Sequence, residues 1–191
     1  RGEELHGAVF ELHSLNGQDL SHVKLSSGEA PVAPIIHEID RIVWETSNNP
    51  IEFIGLPLGE YEINEVEAPE GYKLLAESVK IRINNYGVCV VVDENGEERN
   101  LNNNTVVIVN EIKKTPVVIN KVDEEENPVA GATFTLYYVP IDGSSGGESL
   151  QVISDKNGKI ELELEDNHYL IHEDEAPEGY VNDVEEIGFR V

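Results

Sequence analysis

Two glutamates stand at the same place in two copies of one motif. The motif reads YEINEVEAPEGY at residues 61–72 and YLIHEDEAPEGY at residues 169–180. Side chains alternate faces along a strand, so Glu65 shares a face with the Tyr and the Ile of its motif. Glu173 repeats this pattern in the second copy. Both glutamates are therefore predicted to lie on an apolar face, where an ionised carboxylate is costly and the neutral acid is favoured.

A lysine and an asparagine show the same pattern near the ends of predicted strands. In TVVIVN (105–110), Asn110 shares a face with a Val and an Ile, and in PVVINK (116–121) Lys121 does so. Taken singly, each could lie at a strand end and extend its polar group into water. Taken together, the three residue types indicate a specific reaction.

The reaction is the formation of an amide cross-link between side chains. A lysine in an apolar site loses its proton more easily and becomes a nucleophile. An asparagine amide becomes electrophilic when its carbonyl is polarised, and a neutral glutamic acid can polarise it and pass a proton to the departing ammonia. A folded core holds the groups at a high effective concentration. We expect a Lys–Asn isopeptide bond that forms once and is not turned over.

The elements that must position these residues are strands. Period-2 alternation and short Val, Ile and Thr runs recur between Gly, Pro and Asn, whereas a sustained helical period does not. We predict hairpin turns at 94–98 and 155–159, a surface loop at 143–147, and a long loop or short helix within 20–40. The predicted strands are 7–13, 42–46, 50–54, 60–66, 78–83, 87–92, 105–110, 116–122, 131–139, 150–154, 159–164, 168–174 and 186–191.

The two halves of the chain align in order. HGAVFELH (6–13) matches AGATFTLY (130–137) with an offset of 124 residues, whereas the two EAPEGY motifs are 108 residues apart. The first half therefore carries 16 more residues between these landmarks. Repeated all-β units of this size are typical of sandwiches. We predict two tandem Ig-like β-sandwiches, at 1–112 and 115–191, with an insertion near 14–50 in the first.

Composition excludes several classes of function. The net charge of −25, from 13 basic and 38 acidic residues, argues against binding nucleic acid or an anionic membrane surface. No apolar run approaches the roughly 20 residues that span a bilayer, so membrane insertion is not expected. The single cysteine, Cys89, allows no intrachain disulfide and is predicted to be a buried strand thiol. No cofactor-binding motif is present.

Other candidate sites are weaker. His168 and His172 share a strand face but lack the HExxH helix and a third ligand, so we expect no zinc site. The acidic segment 123–127 lacks the spacing and the glycine of an EF-hand loop and is predicted to be a solvated loop. Trp44 and the other aromatic residues fit core positions.

The combined motifs resemble a known family. KVDEEENPVAGATFTLY (121–137) together with the second EAPEGY motif is similar to the CnaB-type, SpaA-like domains of Gram-positive surface proteins and pilins, and the first half carries the same signature. The resemblance implies prealbumin-like β-sandwiches in which a first-strand lysine bonds to a last-strand asparagine. It implies that Lys121 is such a lysine, that Asn110 is such an asparagine, and that Glu65 and Glu173 assist.

Against this family pattern, we expect the sandwich at 1–112 to lack its first strand and the sandwich at 115–191 to lack its last strands, so neither half contains all three partners. By the 124-residue offset, the lysine matching Lys121 would fall four residues before the first residue, and only 11 residues follow the second motif. Lys24 and Asn182 are poor substitutes by position. With no methionine in the chain, we expect a piece of a longer protein. The alternatives are a split piece that forms its bond with another chain, a rewired pair, or no bond.

Three functions follow in order of preference. The first is a structural stalk or shaft module of a cell-wall-attached Gram-positive adhesin or pilin, not an enzyme, with neighbouring domains or subunits as partners. The second is a ligand-binding adhesin region that contacts host matrix or glycan through segment 14–50. The third is an accessory domain of an extracellular enzyme. All three place the chain outside the cell, on the cell surface or in the cell wall.

Overall fold

The computed structural model describes residues 5–139, 148–182 and 186–191, and it has an all-β fold. The chain divides into two compact units, Arg1–Glu111 and Ile112–Val191. Each unit contains two antiparallel sheets around its own apolar core. The prediction of two tandem β-sandwiches is confirmed. No helix in the described ranges is long and apolar enough to cross a membrane.

The first unit combines a seven-stranded sheet with a three-stranded sheet. Its strands are β1 Val9–Ser14, β2 Lys24–Ser27, β3 Ala30–Val32, β4 Ile36–His37, β5 Arg41–Glu45, β6 Ile51–Ile54, β7 Gly59–Glu67, β8 Val79–Ile83, β9 Cys89–Val92 and β10 Glu98–Asn100. The larger sheet has the order β10-β9-β8-β7-β1-β5-β4, and the smaller has the order β3-β2-β6. Leu12 from the larger sheet and Leu25 from the smaller one lie in the same buried cluster.

The second unit is smaller and follows the same plan. Its strands are β11 Thr115–Asn120, β12 Thr133–Val139, β13 Ser149–Ile153, β14 Lys159–Leu164, β15 His168–Glu175 and β16 Ile187–Arg190. Strands β11 and β14 form one sheet, and β13-β12-β15-β16 form the other. Ile160 from the first sheet and Phe134 and Ile171 from the second belong to the buried cluster.

The segment 20–40 differs from the expectation of a loop or a helix. It carries β2, β3 and β4, and β2 pairs with both β3 and β6. Segment 14–50 therefore extends both sheets of the first unit. These strands have only two to four residues, and β3 contains Pro31, so period-2 alternation is too short to be recognised in the sequence.

Two further predictions need correction, and one cannot be compared. Residues 105–110 keep alternating burial, but no ladder pairs them with another part of the described chain. The turn at 155–159 forms, yet it joins strands of different sheets, because β13 pairs with β12 and β14 pairs with β11. The predicted loop 143–147 lies outside the described residues.

The predicted core positions of the single cysteine and the single tryptophan are confirmed. Cys89 is buried in β9, and burial raises the pKa of its thiol. Trp44 is buried in β5, stacked on Phe10 and edge-on to Phe53. Both side chains contribute to the core of the first unit.

Candidate functional site

The two glutamates occupy the same register in their units. Glu65 lies opposite Phe10 in the β7–β1 ladder, and Glu173 lies opposite Phe134 in the β15–β12 ladder. In both ladders the register shifts immediately before the phenylalanine. Such a bulge bends a strand locally and re-aims its side chains. The repeated sequence therefore builds the same irregular strand pair twice and directs a carboxyl group into each core.

In the first unit the buried carboxyl group of Glu65 holds an asparagine. Glu65 is 8% exposed, and the Nδ2 of Asn110 donates to its Oε1 and Oε2 at 2.9 Å each. The backbone amide of Leu75 donates to Oε2 at 2.8 Å. Asn110 Nδ2 also donates to the backbone carbonyl of Lys73 at 3.0 Å. The amide nitrogen, which is the leaving group in amide exchange, is thus directed at the carboxyl group.

In the second unit the equivalent carboxyl group holds a lysine. Glu173 is 0% exposed, and Lys121 Nζ lies 3.0 Å from its Oε2. The Lys121 side chain is 20% exposed, and its Nζ lies 6.0 Å from the centroid of the Phe134 ring. The other oxygen, Oε1, is buried and accepts no hydrogen bond within the described part of the chain. A buried carboxylate oxygen without a donor is costly, so the site has unused capacity for one.

The lysine follows β11 directly, and its backbone is hydrogen-bonded on both sides. Lys121 N donates to the carbonyl of Gly158 at 2.7 Å, and the Lys121 carbonyl accepts from Val129 N at 2.9 Å. These bonds fix the position from which the side chain reaches Glu173. The sequence predicts only a hairpin turn around Gly158 and gives no signal of its contact with Lys121.

The predicted site residues therefore form two pairs. Asn110 contacts Glu65 in the first unit, and Lys121 contacts Glu173 in the second. Lys24 does not join the first pair: it begins β2 in the smaller sheet and is exposed. Asn182 lies near the second pair, where its Nδ2 donates to the backbone carbonyl of Glu173 at 2.7 Å.

In the described ranges no group of three or more His, Cys, Asp or Glu side chains could hold a metal ion. The acidic segment 123–127, predicted to be a solvated loop, forms an exposed turn in which Asp123 Oδ1 accepts hydrogen bonds from the amides of Glu125 and Asn127. These backbone hydrogen bonds lower the pKa of Asp123.

Two sandwiches built on the same strand pair, each with one inward glutamate, define a tandem prealbumin-like β-sandwich protein. The family described as SpaA, prealbumin-like fold domain, matches residues 1–97 and 115–191. The chain belongs to this family. No curated protein sequence matches the chain.

Several solved structures are similar to the chain. The Bacillus anthracis TIE protein is 19% identical with a TM-score of 0.54, and the match covers 97% of this chain and 28% of that one. A C-terminal fragment of the pilus adhesin SpaC from Lactobacillus rhamnosus GG is 18% identical, with a TM-score of 0.45 and coverages of 97% and 74%. BcpA, the major pilin subunit of Bacillus cereus, is 16% identical, with a TM-score of 0.38 and coverages of 98% and 56%. The TIE similarity reflects a common fold, and this chain spans little more than a quarter of that protein.

Proposed function

We propose that the chain is a structural module in the stalk or shaft of a cell-wall-attached Gram-positive adhesin or pilin. In the parent protein, each sandwich is stabilised by a Lys–Asn isopeptide bond whose formation its buried glutamate assists. The partners are neighbouring domains or subunits of the same surface protein or pilus. Membership of the SpaA family and the resemblance to Gram-positive surface domains support an extracellular location.

The proposed reaction uses only the side chains of a lysine, an asparagine and a glutamate. The lysine gives a proton to the glutamate carboxylate, and its neutral Nζ attacks the asparagine Cγ to form a C–N bond. The glutamic acid passes the proton to Nδ2, the Cγ–Nδ2 bond breaks, and ammonia leaves. Nζ then releases one of its two remaining protons and keeps the other as the N–H of the new amide. The carboxylate is regenerated, and the only product besides the cross-link is one ammonia, which leaves as ammonium.

The observation that carries this proposal is the complementarity of the two pairs. At one register position, Glu65 contacts the amide that would react and Glu173 contacts the amine that would react. Phe10 and Phe134 hold equivalent register positions opposite the two glutamates, which supports a complete site in which the amine and the amide flank a single carboxyl group. The buried Oε1 of Glu173 has no donor in the described part of the chain. It could accept from an asparagine of its own sandwich a hydrogen bond equivalent to the one that Glu65 accepts from Asn110.

The test is the intact mass of the complete gene product that contains this chain. We expect the mass to fall short of the sequence mass by one ammonia for each bond. Glu65→Ala and Glu173→Ala should each restore one ammonia, because the uncatalysed amide exchange is too slow to proceed without proton transfer. A wild-type mass equal to the sequence mass refutes the proposal.

Controls for this experiment separate catalysis from folding. Glu62→Ala removes a carboxylate from the other face of β7 and should leave the mass deficit unchanged. Conservative variants, Glu65→Gln and Glu173→Gln, preserve side-chain shape but cannot accept the lysine proton. Loss of the bond in a Gln variant that retains its β-sheet circular dichroism would identify the carboxyl group as the catalyst.

A further inference from the structure

We propose that Gly158 is the positioning residue for Lys121: its missing side chain lets the backbone of the lysine lie where the amine can reach Glu173. The inference rests on the proposed role of Lys121 as the reacting amine. It assigns a function to the turn at 155–159 beyond joining two strands. Gly158 does not touch the reacting atoms and acts only through the lysine.

The contacts around Gly158 leave no room for a side chain. The residue is buried, with a φ of +71°. A Cβ at this position would lie 2.4 Å from the Lys121 carbonyl oxygen, 3.0 Å from Val129 N and 3.1 Å from Pro128 Cα. All three neighbours are backbone atoms, so none can rotate away as the end of a flexible side chain could.

A side chain here must therefore displace the backbone that carries the amine. The contact with the Lys121 oxygen would have to lengthen by roughly 1 Å to reach van der Waals distance. That oxygen accepts from Val129 N, and Lys121 N donates to the Gly158 carbonyl. Both hydrogen bonds hold Lys121 in place, so the displacement changes the position of its Nζ relative to Glu173. Misplacement of this size can slow an oriented reaction about a hundredfold.

The chain contains a matched turn that lacks these contacts. In the turn at 93–97, Asp93 Oδ1 accepts from the amides of Asn95 and Glu97, as Asp155 Oδ1 accepts from the amides of Asn157 and Lys159. The glycine of that turn, Gly96, has a φ of +78°, and a Cβ there would meet nothing within 4 Å. The two glycines therefore share the same conformational requirement, and only Gly158 has the close approach.

The experiment compares Gly158→Asn with Gly96→Asn. Asparagine is the chiral residue that best tolerates positive φ, so both variants keep their turns and differ mainly in the contact made by Cβ. The probe is limiting acetic anhydride on the chain itself, with acetylation of Lys121 measured by peptide mass spectrometry relative to the exposed Lys80. We expect Gly158→Asn to change the acetylation rate of Lys121 several-fold, upward because the ion pair with Glu173 is weakened. Gly96→Asn should match the wild type.

A third variant, Leu164→Ala, excludes a general loss of stability. Leu164 is buried at the opposite end of the β11–β14 pair, opposite Thr115, so its truncation weakens the second unit without contacting Lys121. An equal acetylation rate in Leu164→Ala and Gly158→Asn, at matched stability, would overturn the inference. So would a wild-type rate in Gly158→Asn.

A second readout separates this inference from the proposed function. In the complete gene product, we expect Gly158→Asn to lose ammonia about a hundredfold more slowly than the wild type, and Gly96→Asn to lose it at the wild-type rate. If the wild type loses no ammonia, the proposed function fails, while the acetylation pattern still decides the role of Gly158. If Gly158→Asn loses ammonia as fast as the wild type, the proposed function stands and the positioning role is wrong.

Discussion

At the scale of single residues, the core of the second unit contains an ion pair whose burial has a large free-energy cost. Glu173 is fully buried, and its charge is balanced by Lys121 at 3.0 Å. Removing two charges from water costs several kcal/mol each, and their attraction offsets this cost only when the geometry is good. Stability alone therefore does not account for the pair, because an apolar pair of similar volume is often at least as stable in a core.

Removing only the lysine should be strongly destabilising. Lys121→Met leaves an uncompensated carboxylate in the core, so we expect the second unit to lose about 3–5 kcal/mol of unfolding free energy. Equilibrium urea denaturation followed by far-UV circular dichroism measures this loss. The double variant Lys121→Met/Glu173→Leu should recover most of it, because neither charge is then buried.

The coupling free energy between Lys121→Met and Glu173→Leu measures how much the ion pair contributes to the folded state. A double-mutant cycle isolates the pairwise interaction if each single variant forms no new contact. We expect the two substitutions to be strongly non-additive. Additive losses would mean that the 3.0 Å contact contributes nothing to the folded state, which contradicts the geometry of the pair.

At the scale of elements, a tyrosine ties each glutamate strand to the loop before it. Tyr61 in β7 donates its hydroxyl to the Pro57 carbonyl at 2.7 Å, and Tyr169 in β15 donates to the Glu165 carbonyl at 3.0 Å. Each bond spans four residues. The tyrosine of the repeated motif therefore anchors its strand four residues before the buried glutamate.

The same tyrosine should make the first unit sensitive to alkali. Burial raises the pKa of Tyr61 to about 12 from an unfolded value near 10. A folded pKa above the unfolded one contributes stability that is complete below pH 10 and is lost as the pH rises toward 12. We expect the urea midpoint of the first unit to fall between pH 9 and pH 11 more steeply in the wild type than in Tyr61→Phe. Equal slopes would show that Tyr61 does not titrate abnormally.

Most of the long strands could be predicted from the sequence because one face of each is buried. Strand β7, at Gly59–Glu67, and β14, at Lys159–Leu164, have enough residues for alternation to identify them. Residues 105–110 have the same alternation, but a strand ladder also requires a neighbouring strand, which a local pattern cannot supply. The inward direction of Glu65 and Glu173 followed from strand parity alone.

The contacts of the site could not be derived from local pattern. Asn110 is 45 residues from Glu65, and Lys121 is 52 residues from Glu173. Their proximity depends on how the sheets pack, so only the family resemblance indicated it. Gly158 was missed for the same reason, because its close approach to Lys121 joins segments 37 residues apart in the sequence.

At the scale of the whole molecule, the negative charge is spread over the entire chain, whereas the apolar core is divided between the two units. The net charge of −25 produces repulsion throughout the chain, which salt screens. The two apolar clusters are distinct, since one contains residues from 8 to 108 and the other contains residues from 117 to 191. Each unit thus has the apolar core that a domain needs to fold by itself, and we propose that the boundary lies near Ile112.

Independent folding predicts two separable unfolding transitions. The only tryptophan, Trp44, is buried in the first unit, so its fluorescence reports that unit alone, whereas circular dichroism reports both. Leu12→Ala should shift the fluorescence transition, and Leu136→Ala should leave it unchanged while shifting the other component of the circular dichroism, each by about 2–5 kcal/mol. Limited trypsin should cut first at the exposed Lys113 and Lys114 and release two folded fragments. A single transition that both substitutions shift would mean that the two units unfold together and would contradict independent folding.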